Sequence, residues 1–123
     1  MASVRYIVSD VEEAVKFYTS ALGFEIKHNF APNIAILTRG DLTLWAAGPG
    51  ASASRPMPDG RKPEPGGGWN RFVIEVDDLT AFTAKLRQQG VKFRNEIVVG
   101  PGGKQILCED PSGNVIELFQ PAQ

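Results

Sequence analysis

The sequence predicts an α+β fold made of two consecutive βαβββ modules. Three observations predict it. The chain nearly repeats itself at an offset of 68 residues, from Asp10 to Asp78. Each copy carries an apolar stripe at helical spacing, opened by an aspartate and closed by a glycine. Each such helix is followed by three strand-like runs separated by turn residues.

The repeat is read from "VRYIVSDVEEAVKFYTSALGFEI" (Val4–Ile26) against "FVIEVDDLTAFTAKLRQQGVKF" (Phe72–Phe93). In the first copy Val11, Ala14, Val15, Tyr18 and Leu22 recur three and four residues apart, the stripe of a helix with one buried face. Leu79, Phe82, Thr83 and Leu86 fall at the equivalent places of the second. Asp10 and Asp78 stand where a side chain is wanted to accept the free amides of a first turn. Gly23 and Gly90 stand where each helix should stop. The strands expected after the first helix are Phe24–Phe30, Ile34–Thr38 and Leu42–Ala46, with Arg39–Asp41 as a tight turn. Those after the second are Val91–Val99, Gln105–Glu109 and Val115–Phe119, with "DPSGN" (Asp110–Asn114) as the turn.

One domain is expected over residues 1–123: module one at 1–47, a connecting loop at 48–68 and module two at 69–123. Gly and Pro make up 11 of the 21 residues of the loop, so it forms no regular element. It is either a linker or a flap able to carry Arg55, Asp59 or Arg61 to a ligand.

Composition narrows the function classes. The formal net charge is −1 and the Lys and Arg residues are scattered, which argues against a nucleic-acid partner or an anionic membrane surface. No run of about 18 apolar residues marks a membrane span. The first ten residues do not read as a signal peptide, and the expected compartment is the cytoplasm. A single cysteine, Cys108, and a single histidine, His28, leave little conventional material for a metal site. Cys108, in "QILCED", reads as a half-buried strand residue, and His28, on an alternating strand, as a solvent-facing one. No Ser-His-Asp set, no G-x-S-x-G elbow and no phosphate-cradling glycine spacing is present.

Glu117 is the residue that asks for an explanation. It lies among Val115, Ile116, Leu118 and Phe119, and a carboxylate in such a strand must be solvated, paired or holding a metal.

Three segments, "SDVEEAVKFYTSALGF" (Ser9–Phe24), "FVIEVDDL" (Phe72–Leu79) and "EDPSGNVIEL" (Glu109–Leu118), give the chain its resemblance to the vicinal oxygen chelate superfamily, which includes glyoxalase I, bleomycin-resistance proteins and extradiol dioxygenases. The likeness covers essentially the whole chain. It implies two modules whose curled mixed sheets enclose a cavity, and short two-module members commonly work as homodimers. In the enzymes a divalent metal sits in that cavity, held by His and Glu from the first and last strands of each module.

Carried over residue by residue, the resemblance places Glu117, Arg71, Ser3 and Leu44 at those four positions. Only Glu117 is an ordinary ligand. Arg71 is permanently charged and only donates, and Leu44 has no donor atom. A catalytic metal needs about three protein ligands. The expectation is therefore a metal-free site in which Arg71 pairs with Glu117, its guanidinium standing where the metal would be.

Strand alternation aims Arg5, Val73 and Glu75 the same way, with Phe119 further along the closing strand. Trp69 flanks the loop and is the better aromatic candidate; Trp45 by alternation faces the helix side. Arg94, Asn95 and Gln105 read as the solvated side of a sheet. The reading that follows is a binding protein without cofactor or catalytic residue, holding or sequestering an aromatic, partly polar small molecule. It would be a relative of the drug-sequestering, antibiotic-resistance branch. The alternatives are a metal-dependent lyase, isomerase or dioxygenase, and a metal-free enzyme using the Arg71–Glu117 pair to polarise a carbonyl.

Overall fold

In the computed structural model, which describes residues 2–123, the elements follow the order predicted from the repeat. Contacts divide the chain into two compact units. One runs to Gly67 and includes Pro111–Asn114; the other is Gly68–Asp110 with Val115–Gln123.

The first unit carries β1 (Ser3–Ile7), α1 (Val11–Leu22), β2 (Glu25–Phe30), β3 (Ile34–Arg39) and β4 (Leu42–Ala47). Its sheet has the order β1-β4-β3-β2, with β1 parallel to β4 and the other pairs antiparallel. Asp10 caps α1 by accepting from the Glu13 amide at 3.1 Å, a contact of the kind worth about 1 kcal/mol. Gly23 ends the helix at φ 74°, a left-handed conformation that a side chain would strain. The stripe read from sequence is the buried face: Val11, Ala14, Val15, Tyr18 and Leu22. Tyr18 is the centre of this core, wholly buried and edge-on to Phe17 and Phe24 at 5.1 and 5.3 Å. Edge strand β2 is exposed on both faces, and a bulge between Ile26 and His28 interrupts its pairing, as edge strands commonly require.

The second unit carries β5 (Phe72–Glu75), α2 (Leu79–Gln88), β6 (Lys92–Phe93), β7 (Val98–Gly100), β8 (Gly103–Glu109) and β9 (Val115–Pro121). Its sheet runs β5-β9-β8-β6, with β7 also on β8 and β5 parallel to β9. Asp78 caps α2 through the Ala81 amide at 3.1 Å, the counterpart of Asp10. The helix closes at Gln89, with Gly90 just beyond.

The single strand expected over Val91–Val99 is in fact two short ones, β6 and β7. The reason is local: the Asn95 side chain accepts from the Leu107 amide at 2.9 Å, and the Arg94 amide donates to the Leu107 carbonyl. One residue of β8 is thus served by both a side chain and the main chain, and the ladder breaks there.

Thr83 is 5% exposed on the buried face of α2, and its hydroxyl is the one buried side-chain N or O without a partner among the described residues. An unsatisfied buried hydroxyl costs about 1–3 kcal/mol. Thr83→Val keeps the shape and removes the polar atom. It should raise the melting temperature by a few degrees in a thermal scan. An unchanged or lowered value would contradict this account.

The loop between the modules is partly folded. Ser52–Ser54 form a single 3-10 turn, and the buried Ser54 hydroxyl donates to the Gly48 carbonyl at 2.7 Å. Asp59 and Arg61 pair with each other at 2.8 Å, both well exposed. The far end is held by the "DPSGN" turn. Asn114 accepts from the Gly66 amide at 2.9 Å and donates to the Ile7 carbonyl at 2.8 Å. Ser112 accepts from the Ser9 amide at 2.9 Å. Gly66, at φ 77°, lies where a Cβ would come within 2.8 Å of the Ser112 carbonyl, so only glycine fits. The "DPSGN" turn is therefore a clasp for the end of the loop.

Candidate functional site

Arg71 immediately precedes β5, and Glu117 lies in the middle of β9 opposite Val73 and Leu107. Nε of Arg71 donates to Oε1 of Glu117 at 3.0 Å, and Nη2 stands 2.9 Å from the same oxygen. The side chains are 27% and 11% exposed. Glu117 is thus a buried carboxylate matched to a permanent cation, which is what the apolar neighbours demand. Nη1 of Arg71 donates to the Trp69 carbonyl at 3.0 Å, fixing the guanidinium at its other end.

A second pair stands beside it, one that alternation alone reads as a solvated sheet edge. Nε of Arg94 donates to Oε2 of Glu109 at 2.8 Å, with both side chains below one-fifth exposed. Its Nη1 donates to the Gly68 carbonyl at 2.8 Å, and its guanidinium carbon lies 5.4 Å from the Trp69 ring centre. Two arginines therefore hold two consecutive carbonyls, and each is neutralised by its own glutamate. The missed signal was the spacing between Arg94 and Glu109: with Phe93 opposite Cys108, the arginine comes just past the pairing of β6 with β8.

Of the other residues expected at the site, Val73, Glu75 and Phe119 lie on the Glu117 face of this sheet, because Val73 pairs with Glu117 and Glu75 with Phe119. Val73 is half-exposed, Glu75 is exposed and Trp69 is 70% exposed. Ser3, Arg5 and Leu44 belong to the first unit. There the register corrects one expectation. Ser3 pairs with Thr43 and Arg5 with Trp45, so Leu44 points to the opposite face, where it is wholly buried. Ala46 goes with it, and Trp45 faces away from them. A one-residue slip in aligning the two closing strands reverses every side chain. The position matching Glu117 is Trp45, with the Arg5 guanidinium 4.8 Å above its ring. His28 is exposed and stacked on Phe30 at 5.7 Å.

Among the described residues no three His, Cys, Asp or Glu side chains converge as metal ligands. At the place where the resemblance implies a divalent ion, Oε1 of Glu117 already accepts from a guanidinium, and Arg71 has nothing to donate to a metal. This donor set does not fit a resident divalent cation.

Cys108 is wholly buried, and burial pushes its thiol up to about 12, with the nearby Asp110 adding to the effect. The thiolate is the reactive form, so it is absent at pH 8. A disulfide reagent such as dithionitrobenzoate should leave the native thiol unmodified and titrate it fully in denaturant. Rapid native reaction would show that β8 opens.

Among the described residues no helix is long and apolar enough to cross a membrane. Residues 1–118 match the family model of the Glyoxalase/Bleomycin resistance protein/Dioxygenase superfamily. No curated protein matches the chain. Among solved structures, a member of that superfamily from Sphaerobacter thermophilus is 26% identical, with TM-score 0.75 over 98% of this chain and 96% of that one. An antibiotic binding protein, TnmS3, from Streptomyces sp. CB03234 is 24% identical, with TM-score 0.68 over 99% and 97%. A lactoylglutathione lyase from Agrobacterium tumefaciens is 19% identical, with TM-score 0.73 over 98% and 92%. The last two likenesses speak to the fold alone.

Proposed function

Since the chain belongs to the Glyoxalase/Bleomycin resistance protein/Dioxygenase superfamily, we propose that it is a metal-free small-molecule binding protein that holds an aromatic, partly polar ligand. The observation that carries this is the Arg71 guanidinium seated on Glu117 at 2.9–3.0 Å, in place of a metal. Such a pair gives a ligand a fixed donor and acceptor in a unit that also exposes the apolar Val73 and Trp69 and the acidic Glu75. An antibiotic binding protein is built on this same fold, so the fold admits a role in binding without chemistry. The reading extends to a cytoplasmic protein and, as the resemblance implies, a homodimer; light scattering would decide the assembly.

The test is a panel of planar aromatic amides and carboxylates, titrated against the chain and followed by tryptophan emission and by chromatography of the recovered ligand. Saturable binding, weakened about tenfold by Glu117→Gln, with the ligand returned unchanged, is the expected result. Conversion of the ligand, or affinity indifferent to Glu117, would overturn the proposal.

A further inference from the structure

Trp69 combines two properties that rarely occur together. The residue is 70% exposed, yet the backbone beneath it is held by partly buried charge. The Trp69 carbonyl accepts from Arg71 and the Gly68 carbonyl from Arg94, each at 3.0 Å or less. Arg94 also covers one face of the indole, while Glu109 balances its charge at 2.8 Å. A large aromatic side chain left in water is a cost, and four charged side chains here keep it in that place.

We propose that Arg94 and Glu109 are positioning residues that hold Trp69 as a one-sided stacking platform, so that the site takes a flat, neutral or anionic π-conjugated ligand on the indole face opposite Arg94. This rests on the reading of Arg71–Glu117 as a ligand site and adds the shape and charge of what binds.

The preference for charge follows from the stack itself. A guanidinium over one face of an indole draws π density towards itself. The opposite face is left less negative than in a free indole. It therefore accepts an electron-rich ring or a carbonyl edge and discriminates against a second cation. Flatness follows from exposure. Only a planar group gains contact over the whole bare ring, and Val73, 49% exposed on the Glu117 face, is a further apolar surface of the same unit.

The experiment uses the full chain carrying Trp45→Phe, which leaves Trp69 as the only indole. Three probes are titrated by calorimetry: 2-naphthamide, 2-naphthylmethylammonium and cyclohexanecarboxamide. The naphthamide should bind, and the other two should bind at least about tenfold more weakly. Trp69→Leu should weaken the naphthamide about tenfold, and Trp69→Phe less. Arg94→Gln should weaken it about threefold and should increase acrylamide quenching of Trp69 emission, a readout that a merely structural role would not move. Naphthamide affinity unchanged in Trp69→Leu, equal affinity for the cation, or no saturable naphthamide binding would overturn the proposal. Affinity lost in Glu117→Gln but kept in Trp69→Leu would spare the Arg71–Glu117 reading and remove the platform.

Discussion

Replacing Arg71 by Met should lower the unfolding free energy by about 2–3 kcal/mol, and adding Glu117→Leu should restore most of it. The single change leaves the Glu117 carboxylate, 11% exposed and flanked by Val73 and Leu107, without its cation. Breaking a buried pair in this way costs about 3–5 kcal/mol, and the exposure of Arg71 to 27% places this case at or below the low end. The double variant removes both charges and fills the space with apolar atoms, which is typically neutral or stabilising. Glu117→Leu alone should cost about 1 kcal/mol, because the Arg71 head can swing to water and keep its bond to the Trp69 carbonyl. Urea unfolding of the three variants checks the order. A double variant as unstable as Arg71→Met would show that the pair contributes fold specificity rather than a cancelled charge. Ligand binding should be lost in all three.

Changing Asn114 to Asp should cost about 3 kcal/mol, and more than the change to Ala. Asn114 serves two partly buried partners with opposite needs: its carbonyl oxygen accepts from the Gly66 amide, and its amide nitrogen donates to the Ile7 carbonyl. Alanine forfeits both bonds, a loss of about 2 kcal/mol. Aspartate keeps the acceptor for Gly66 but turns a second oxygen towards the Ile7 carbonyl, so repulsion replaces a hydrogen bond at a residue that is 8% exposed. Thermal and urea unfolding would rank the pair. An aspartate variant as stable as the parent would mean that the side chain is not held at Ile7.

How much of this was legible in the sequence follows from what each signal measures. The two modules were legible because helix caps and stripes are local. Asp10 and Asp78 bond the amides three residues on, and Gly23 takes the left-handed φ that its place after the stripe required. The order of elements along each unit followed from the same repeat. Register did not. The hairpin from β3 to β4 turns on Gly40 and Asp41, whereas β8 reaches β9 through the five residues Asp110–Asn114. Aligning the two glycines placed Leu44 against Glu117, when the pairing of Arg5 with Trp45 makes Trp45 the match. An odd slip leaves composition unchanged and reverses the faces, so no propensity argument could have caught it.

The Arg71–Glu117 contact was legible for a different reason. A carboxylate in an apolar strand needs a counter-charge, and the resemblance placed the cation Arg71 at the start of a neighbouring strand. Arg94 was missed because its partner, Glu109, lies on a different strand, in a turn-flanking position that reads as solvated. Its second role, holding the Gly68 carbonyl, depends on the path of the loop end, which composition does not encode.

On our proposal a guanidinium occupies the position where the resemblance implies a metal. The most direct measurement is metal per chain by elemental mass spectrometry. The protein is purified without chelator or metal-affinity resin, then assayed before and after loading with nickel, zinc, manganese or iron(II). Metal well below one equivalent under every condition is the predicted result. One tightly held ion per chain, lost on Glu117→Ala, would contradict it and place Glu117 in a metal site.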